Sequence, residues 1–96
     1  MTHESVCRQS ITVVNENGLH LIPASLITQL ARRHECNITL KKGDMTADAR
    51  NVLDIIALEA PFGTILEIEA DGAGAAGALE EVVQLFESCF VVDDGA

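Results

Sequence analysis

Hydrophobic and polar residues alternate along this chain with two different periods. Alternation at every second residue predicts strands in "SITVVN", "CNITLKK" and "TILEIEA". The turn pair that starts at Gly43 predicts a hairpin from the second of these to a short strand, "MTADA". Because each strand is apolar on one side only, the sheet should be covered on one face, as antiparallel sheets commonly are.

Apolar residues spaced three and four apart predict three helices between these strands. Their expected ranges are Leu21 to Arg33, Val52 to Leu58 and Gly74 to Phe90. The order βαββαβα predicts an α+β fold with a four-stranded antiparallel sheet and three helices on one face. We expect one domain over residues 1–96, with a core of about residues 10–90 and loose ends at the first eight residues and at "VVDDGA".

The short middle helix has two apolar sides. At 100° per residue, Val52, Leu53 and Ile56 lie on one side, whereas Ile55 and Leu58 point the opposite way. Only one side is able to face the sheet, so the other is either an exposed docking surface or is wedged between core elements.

The start of this helix carries a capping signal. Asn51 followed three residues later by Asp54 resembles a capping box, with Asp in place of the usual Glu or Gln. The helix should therefore begin directly after Asn51.

Charge and cysteine usage exclude several classes of protein. Residues 1–50 hold six basic and five acidic side chains, and residues 51–96 hold ten acidic and no basic ones. Without a basic cluster a nucleic-acid partner is not expected, and the folded surface should have a basic and an acidic pole. Three cysteines without C-x-x-C spacing, and no signal peptide, predict a cytoplasmic protein with free thiols. The longest apolar segment, Leu19 to Ala31, is too short for membrane insertion.

Two motifs suggest a dinucleotide site and a metal site, but each lacks a part that such a site needs. "GAGAAG" matches G-x-G-x-x-G, but only 19 residues follow it, too few for a dinucleotide fold. His3 and Cys7 offer two metal ligands where zinc needs three or four. We therefore expect neither a cofactor nor a metal.

The candidate for chemistry is His20, at the start of the first predicted helix in "NENGLHLIPASLITQLARR". As N-cap it would precede Leu21, Ile22 and Pro23, whose turn offers unpaired backbone N–H groups and the positive end of the helix dipole. Such a site binds anions, and an unprotonated imidazole beside it is a nucleophile for a phosphoryl group. The alternative is that His20 only caps or packs.

The segment "NGLHLIPAS" resembles the active-site segment of HPr, the histidine-containing phosphocarrier family of the bacterial phosphotransferase system, whose usual form is G-[LI]-H-x-R-P-[AS]. The similarity continues through "ARNVLDIIAL" and "PFGTILEIEADG" over about residues 10–90. It implies an HPr-like open-faced β-sandwich in which His20 accepts phosphate on Nδ1 from enzyme I. The phosphoryl group would pass to a sugar-permease A domain or a regulatory protein. We expect a monomeric carrier with a transient phosphohistidine rather than a turnover enzyme.

Two sets of contact residues are expected. Asn17 and the backbone N–H groups of Leu21 and Ile22 would hold the phosphoryl group. The resemblance implies that partner proteins contact an apolar patch with flanking positions, namely Leu21, Arg32, Val52, Leu53 and Ile56.

Two positions depart from the family pattern. Ile22 replaces the arginine that pairs with the phosphoryl oxygens, and Arg50 is the candidate for a substitute charge. Asn51 stands where many members carry a serine phosphorylated by a regulatory kinase, so that regulation is not expected here. The Ile22 departure leaves open an HPr-like regulatory or binding module with weak or no phosphotransfer. A generic α+β ligand-binding domain with a structural His20 is the third hypothesis.

Overall fold

The computed structural model describes residues 6–91 of the chain. Within that range the elements follow the predicted order βαββαβα. They are β1 (Val6–Thr12), α1 (Leu21–Ala31), β2 (Asn37–Lys42), β3 (Met45–Asp48), α2 (Val52–Ala57), β4 (Ile65–Asp71) and α3 (Ala75–Glu87). His3, which with Cys7 offers two metal ligands in the sequence, lies outside the described residues, as do the last five residues of "VVDDGA".

The four strands form one antiparallel sheet in the order β1-β4-β2-β3. Gly43, with φ of 57°, and Asp44 connect β2 to β3 as the predicted two-residue turn. Alternate sheet residues such as Leu40 and Ile68 are fully buried, and they belong to the same core as the buried residues of all three helices. Their neighbours Lys41 and Glu69 lie on the opposite, open face. The predicted one-sided α+β sandwich is therefore confirmed.

The first strand differs from the prediction. It covers Val6–Thr12 rather than "SITVVN", so residues 6–8 are not a loose end. As an edge strand, β1 is only partly covered, with Cys7 and Ile11 against the core and polar residues between them. This weak apolar signal explains the misplaced boundary. Val13 lies beyond the strand, where its backbone pairs with Gly63 and Thr64 at 2.8 Å in each bond.

The last helix ends three residues before the predicted Phe90. Cys89 and Phe90 adopt left-handed backbone conformations, with φ of 55° and 62°, and these conformations stop the helix. The N–H of Phe90 donates to the carbonyl of Leu85 at 2.9 Å, and its ring packs edge-on against Phe86 with centroids 4.8 Å apart. Phe90 thus packs against the core from the turn after the helix.

No helix within residues 6–91 has the length and apolar character needed to cross a membrane. The same residues contain no cluster of three or more His, Cys, Asp or Glu side chains that could hold a metal ion.

Candidate functional site

His20 is the N-cap of α1, as predicted. Its backbone is extended, with φ of −80° and ψ of −167°, and its carbonyl accepts the first helical hydrogen bond from Ala24 N–H at 3.0 Å. The imidazole makes no capping hydrogen bond and is exposed. Because helix geometry gives the N–H groups of Leu21 and Ile22 no intrahelical acceptor, both remain available at the positive end of the helix dipole, beside the exposed ring.

The loop before His20 is fixed against the segment after α2. Leu19 is buried, and its N–H donates to the carbonyl of Ala60 at 3.0 Å. Gly18 has φ of 68°, and a Cβ at that position would lie 2.5 Å from the Ala60 oxygen and 2.7 Å from the Pro61 Cα. Only glycine fits both the conformation and the contact. The position of His20 therefore depends on residues 60 and 61 as well as on its own helix.

An open cleft of about 480 Å³ lies at this contact. Its lining residues are Asn17, Leu19, His20, Glu59, Ala60 and Pro61. The structure thus places Asn17, a predicted phosphate-binding residue, in the same cleft as His20. The second half of the cleft, residues 59–61, was not predicted, because nothing local in "LEAPFG" indicates that it pairs with the "NGLH" loop 40 residues earlier.

Position 22 has room for a longer side chain, but its present residue offers no charge. Ile22 lies in the first turn of α1 with its side chain 65% exposed. Because the side chain is largely exposed, it contributes little hydrophobic stabilisation to the free protein. An apolar residue therefore stands beside the anion site where a cation would be favourable.

The structure does not bring Arg50 to His20. Its guanidinium donates to the backbone carbonyls of His34 and Cys36, at 2.7 Å and 2.9 Å, and to the Asn37 side chain at 3.1 Å. These acceptors lie beyond the C-terminal end of α1, and a helix of this length separates its two ends by about 16 Å. Arg50, the suggested substitute charge, thus binds residues that follow the C-terminal end of α1.

The middle helix divides as the sequence predicts. Ile55 and Leu58 are fully buried, whereas Leu53 is 75% exposed and Ile56 is 36% exposed. Val52, beside them, is partly buried against the core. The apolar side of α2 is therefore an exposed patch in the free chain rather than a wedge between core elements.

The cap of α2 is formed by one side chain only. The Asn51 carboxamide oxygen accepts from Leu53 N–H at 3.0 Å and from Asp54 N–H at 3.2 Å. The Asp54 carboxylate accepts from the N–H of Asp48 at 3.3 Å rather than from Asn51, so the reciprocal half of the predicted capping box does not form. Asp is one methylene shorter than the usual Glu, which accounts for the different partner.

The remaining expected contact residues lie at the two ends of α1. Leu21 is exposed next to His20, and Arg32 is the exposed C-cap of the helix. Arg32 also donates to the carbonyl of Arg50 at 3.4 Å, a long bond between the end of α1 and the start of α2. Phe62, which sequence analysis did not select, is exposed directly after the cleft residue Pro61.

Comparisons with known proteins place this geometry among characterised relatives. Residues 7–88 match the family model for the PTS HPr component phosphorylation site. The chain is 30% identical over 83 residues to the phosphocarrier protein HPr of Neisseria meningitidis serogroup B, covering 86% of this chain and 93% of the relative. It is also 30% identical over 87 residues to the phosphocarrier protein NPr of Escherichia coli K12, with 90% and 97% covered.

Solved structures show the same likeness. HPr from Thermoanaerobacter tengcongensis superposes with a TM-score of 0.86 at 28% identity, covering 91% of this chain and 98% of that one. HPr from Bacillus anthracis superposes with a TM-score of 0.81 at 28% identity, covering 85% and 98%.

Proposed function

This chain belongs to the HPr family of phosphocarrier proteins, and on that premise we propose that His20 is its phosphorylated residue. In the proposed cycle His20 accepts a phosphoryl group on Nδ1 from enzyme I in the cytoplasm. It then passes the group to A domains of the phosphotransferase system or to a regulatory protein. The observation that carries the proposal is the exposed imidazole of His20, which makes no capping hydrogen bond and lies beside the free N–H groups of α1.

In phosphoryl transfer to His20, the main task of the chain is to position the imidazole and the phosphoryl group. The Nδ1 lone pair attacks phosphorus, and the bond from phosphorus to its donor breaks with its electron pair leaving on the donor. The N–H groups of Leu21 and Ile22 receive the phosphoryl oxygens, and the Asn17 side chain lies in the same cleft. The helix dipole contributes about 0.3–1 kcal/mol to such a charge at an exposed site.

Partner proteins are proposed to cover the surface around His20. Leu21 and the α2 patch of Val52, Leu53 and Ile56 supply its apolar part, and Arg32 supplies a charge at its edge. The carrier is proposed to act as a monomer. The missing arginine at position 22 bears on the efficiency of transfer, and the backbone site for the phosphoryl group is independent of it.

The test is incorporation of labelled phosphate from phosphoenolpyruvate in the presence of the cognate enzyme I. Wild type should form an acid-labile, alkali-stable adduct, and His20→Ala should form none, because the nucleophile is gone. The variant should stay folded, since a change at an N-cap costs about 0.5–2 kcal/mol at most. His34→Ala is the matched control and should be labelled like wild type, because His34 contacts Glu81 at 3.1 Å, away from the cleft. Label retained by His20→Ala would contradict the assignment.

A further inference from the structure

Glu59 occupies a position that helices usually give to glycine. It follows Leu58, the C-cap of α2, and has a left-handed backbone with φ of 54°. Glycine is preferred there because it has no Cβ to clash in this conformation. Cys89 and Phe90 also adopt it after α3, so the conformation alone does not distinguish Glu59. Its surroundings do.

Lys42 fixes the backbone that carries Glu59. From the last residue of β2, its ammonium donates to the carbonyl of Leu58 at 2.9 Å and to that of Glu59 at 2.7 Å. Both acceptors are at the negative end of α2, where a cation is favourable. The ammonium is thus bound to main-chain oxygens, and it holds the backbone from which the Glu59 side chain extends.

Glu59 lines the same cleft as His20. Both residues line the same cavity of about 480 Å³, and both are exposed. Within residues 6–91 the carboxylate of Glu59 takes part in no salt bridge, and the imidazole of His20 makes no capping bond. A carboxylate and an imidazole without other partners among the described residues therefore belong to two residues that line one open cleft.

We propose that Glu59 is a positioning residue for His20, with its carboxylate accepting a hydrogen bond from Nε2–H so that Nδ1 faces the phosphoryl group. The proposal rests on the proposed function. When Nδ1 forms its bond to phosphorus, the bond from phosphorus to the donor protein breaks and the electron pair stays with the donor. The ring keeps its Nε2 proton and becomes positive, and the carboxylate offsets that charge. On transfer to an acceptor or to water, the electron pair of the N–P bond returns to Nδ1 and the ring is neutral again.

Two measurable consequences follow from holding this proton. The carboxylate speeds phosphorylation, because it stabilises the positive ring that forms. It also shortens the life of the isolated phosphohistidine, since a ring that keeps its Nε2 proton leaves as neutral imidazole rather than as an anion. If Glu59 only kept the cleft closed, its substitution would have a different effect. Water would then enter the cleft and shorten the lifetime of the phosphohistidine. The two roles therefore predict opposite effects of substitution on lifetime.

Glu59→Gln tests the proposal, because it removes the charge and nearly preserves the shape. With the same enzyme I and phosphoenolpyruvate, its initial phosphorylation rate should fall about threefold to tenfold, the range expected for an exposed charge-assisted hydrogen bond. The lifetime of its isolated phosphoprotein, followed by ³¹P NMR, should lengthen by a similar factor. Glu35→Gln removes the same charge at an exposed site beyond α1 and should match wild type in both measurements.

The outcomes separate this inference from the proposed function. Wild type that takes no label would overturn both. Labelled wild type together with a Glu59→Gln variant that has an unchanged rate, an unchanged lifetime or a shortened lifetime would overturn the role of Glu59 alone. A slower rate and a longer lifetime, seen together and absent from Glu35→Gln, would establish it.

Discussion

At the residue scale, His20 as N-cap leaves α1 less stable than a capping residue would make it. Ser, Thr, Asp or Asn as N-cap typically stabilises a helix by about 1 kcal/mol relative to an uncapped end. His20 makes no such bond, whereas Asn51 caps α2 with two. The N–H groups at the start of α2 are therefore covered by a side chain, and those at the start of α1 are not. At α1 the N–H groups are left open, in keeping with a site for an anion.

Ile22→Arg should make the phosphorylated state of this carrier easier to reach. The side chain at position 22 is exposed in the first turn, so an arginine fits there with its charge in water when no phosphate is bound. A guanidinium that engages two phosphoryl oxygens should add about 1.5–3 kcal/mol. With the same enzyme I, the equilibrium fraction phosphorylated or its rate should rise about tenfold, each tenfold being about 1.4 kcal/mol.

Ile22→Lys is the matched control for this prediction. It restores the charge without the planar fork, so its gain should be smaller than that of the arginine variant. Equal gains would show that charge alone is limiting at position 22. No gain in either variant would show that the backbone or the partner already supplies enough stabilisation, because Arg50 is held at the far end of α1.

At the element scale, α2 combines a core face and an exposed apolar face in six residues. Leu53→Glu should weaken binding to enzyme I about tenfold, because it places an unpaired charge in the apolar part of the proposed interface. The variant should melt cooperatively at nearly the wild-type temperature, since Leu53 is 75% exposed in the free chain. Titration calorimetry and thermal unfolding measure the two quantities.

Ile65→Glu provides the control for the α2 prediction. Ile65 is also a largely exposed apolar residue, but it begins β4 on the open face of the sheet. Its substitution should leave partner binding unchanged. If both variants bound equally weakly, the loss would reflect added negative charge rather than the α2 patch. If Leu53→Glu lost its cooperative melt, the residue would belong to the core.

The sequence predicts elements well where a period is sustained. Both faces of α2 follow from the local spacing of apolar residues, because burial on one side of a helix imposes that spacing. The Gly43 turn follows from the local preference of turns for glycine. The edge strand β1 was misplaced, since it needs few apolar residues, and α3 ended early because two non-glycine residues adopt left-handed conformations. Half of the His20 cleft was missed for a different reason. Residues 59–61 reach it through tertiary contacts of Gly18 and Leu19 that no local pattern encodes.

At the scale of the whole molecule, the two unequal halves of the charge distribution meet on the open face of the sheet. Lys41 on β2 and Arg8 on β1 flank Glu69 on the central strand β4, with contacts of 2.8 Å and 2.9 Å. Basic residues of the first half thus pair with an acidic residue of the second half. The expected separation into a basic and an acidic pole is wrong for this face, because strand order brings distant parts of the chain together.

This pairing should make stability depend on pH through Glu69. Hydrogen bonds from Lys41, and then from Arg8, hold the pKa of the Glu69 carboxyl below its usual value. The folded state therefore binds the proton less readily than the unfolded chain does, and the stabilisation is present above the unfolded pKa of about 4.5. It is lost as the pH falls through the lower folded pKa. From about pH 6 to about pH 3, chemical denaturation should show a smaller loss of unfolding free energy for Glu69→Gln than for wild type. Glu80→Gln removes an exposed charge on α3 and should lose as much unfolding free energy over this pH range as wild type. If Glu69→Gln also lost as much as wild type, the contact of Glu69 with Lys41 and Arg8 would be too well solvated to stabilise the fold.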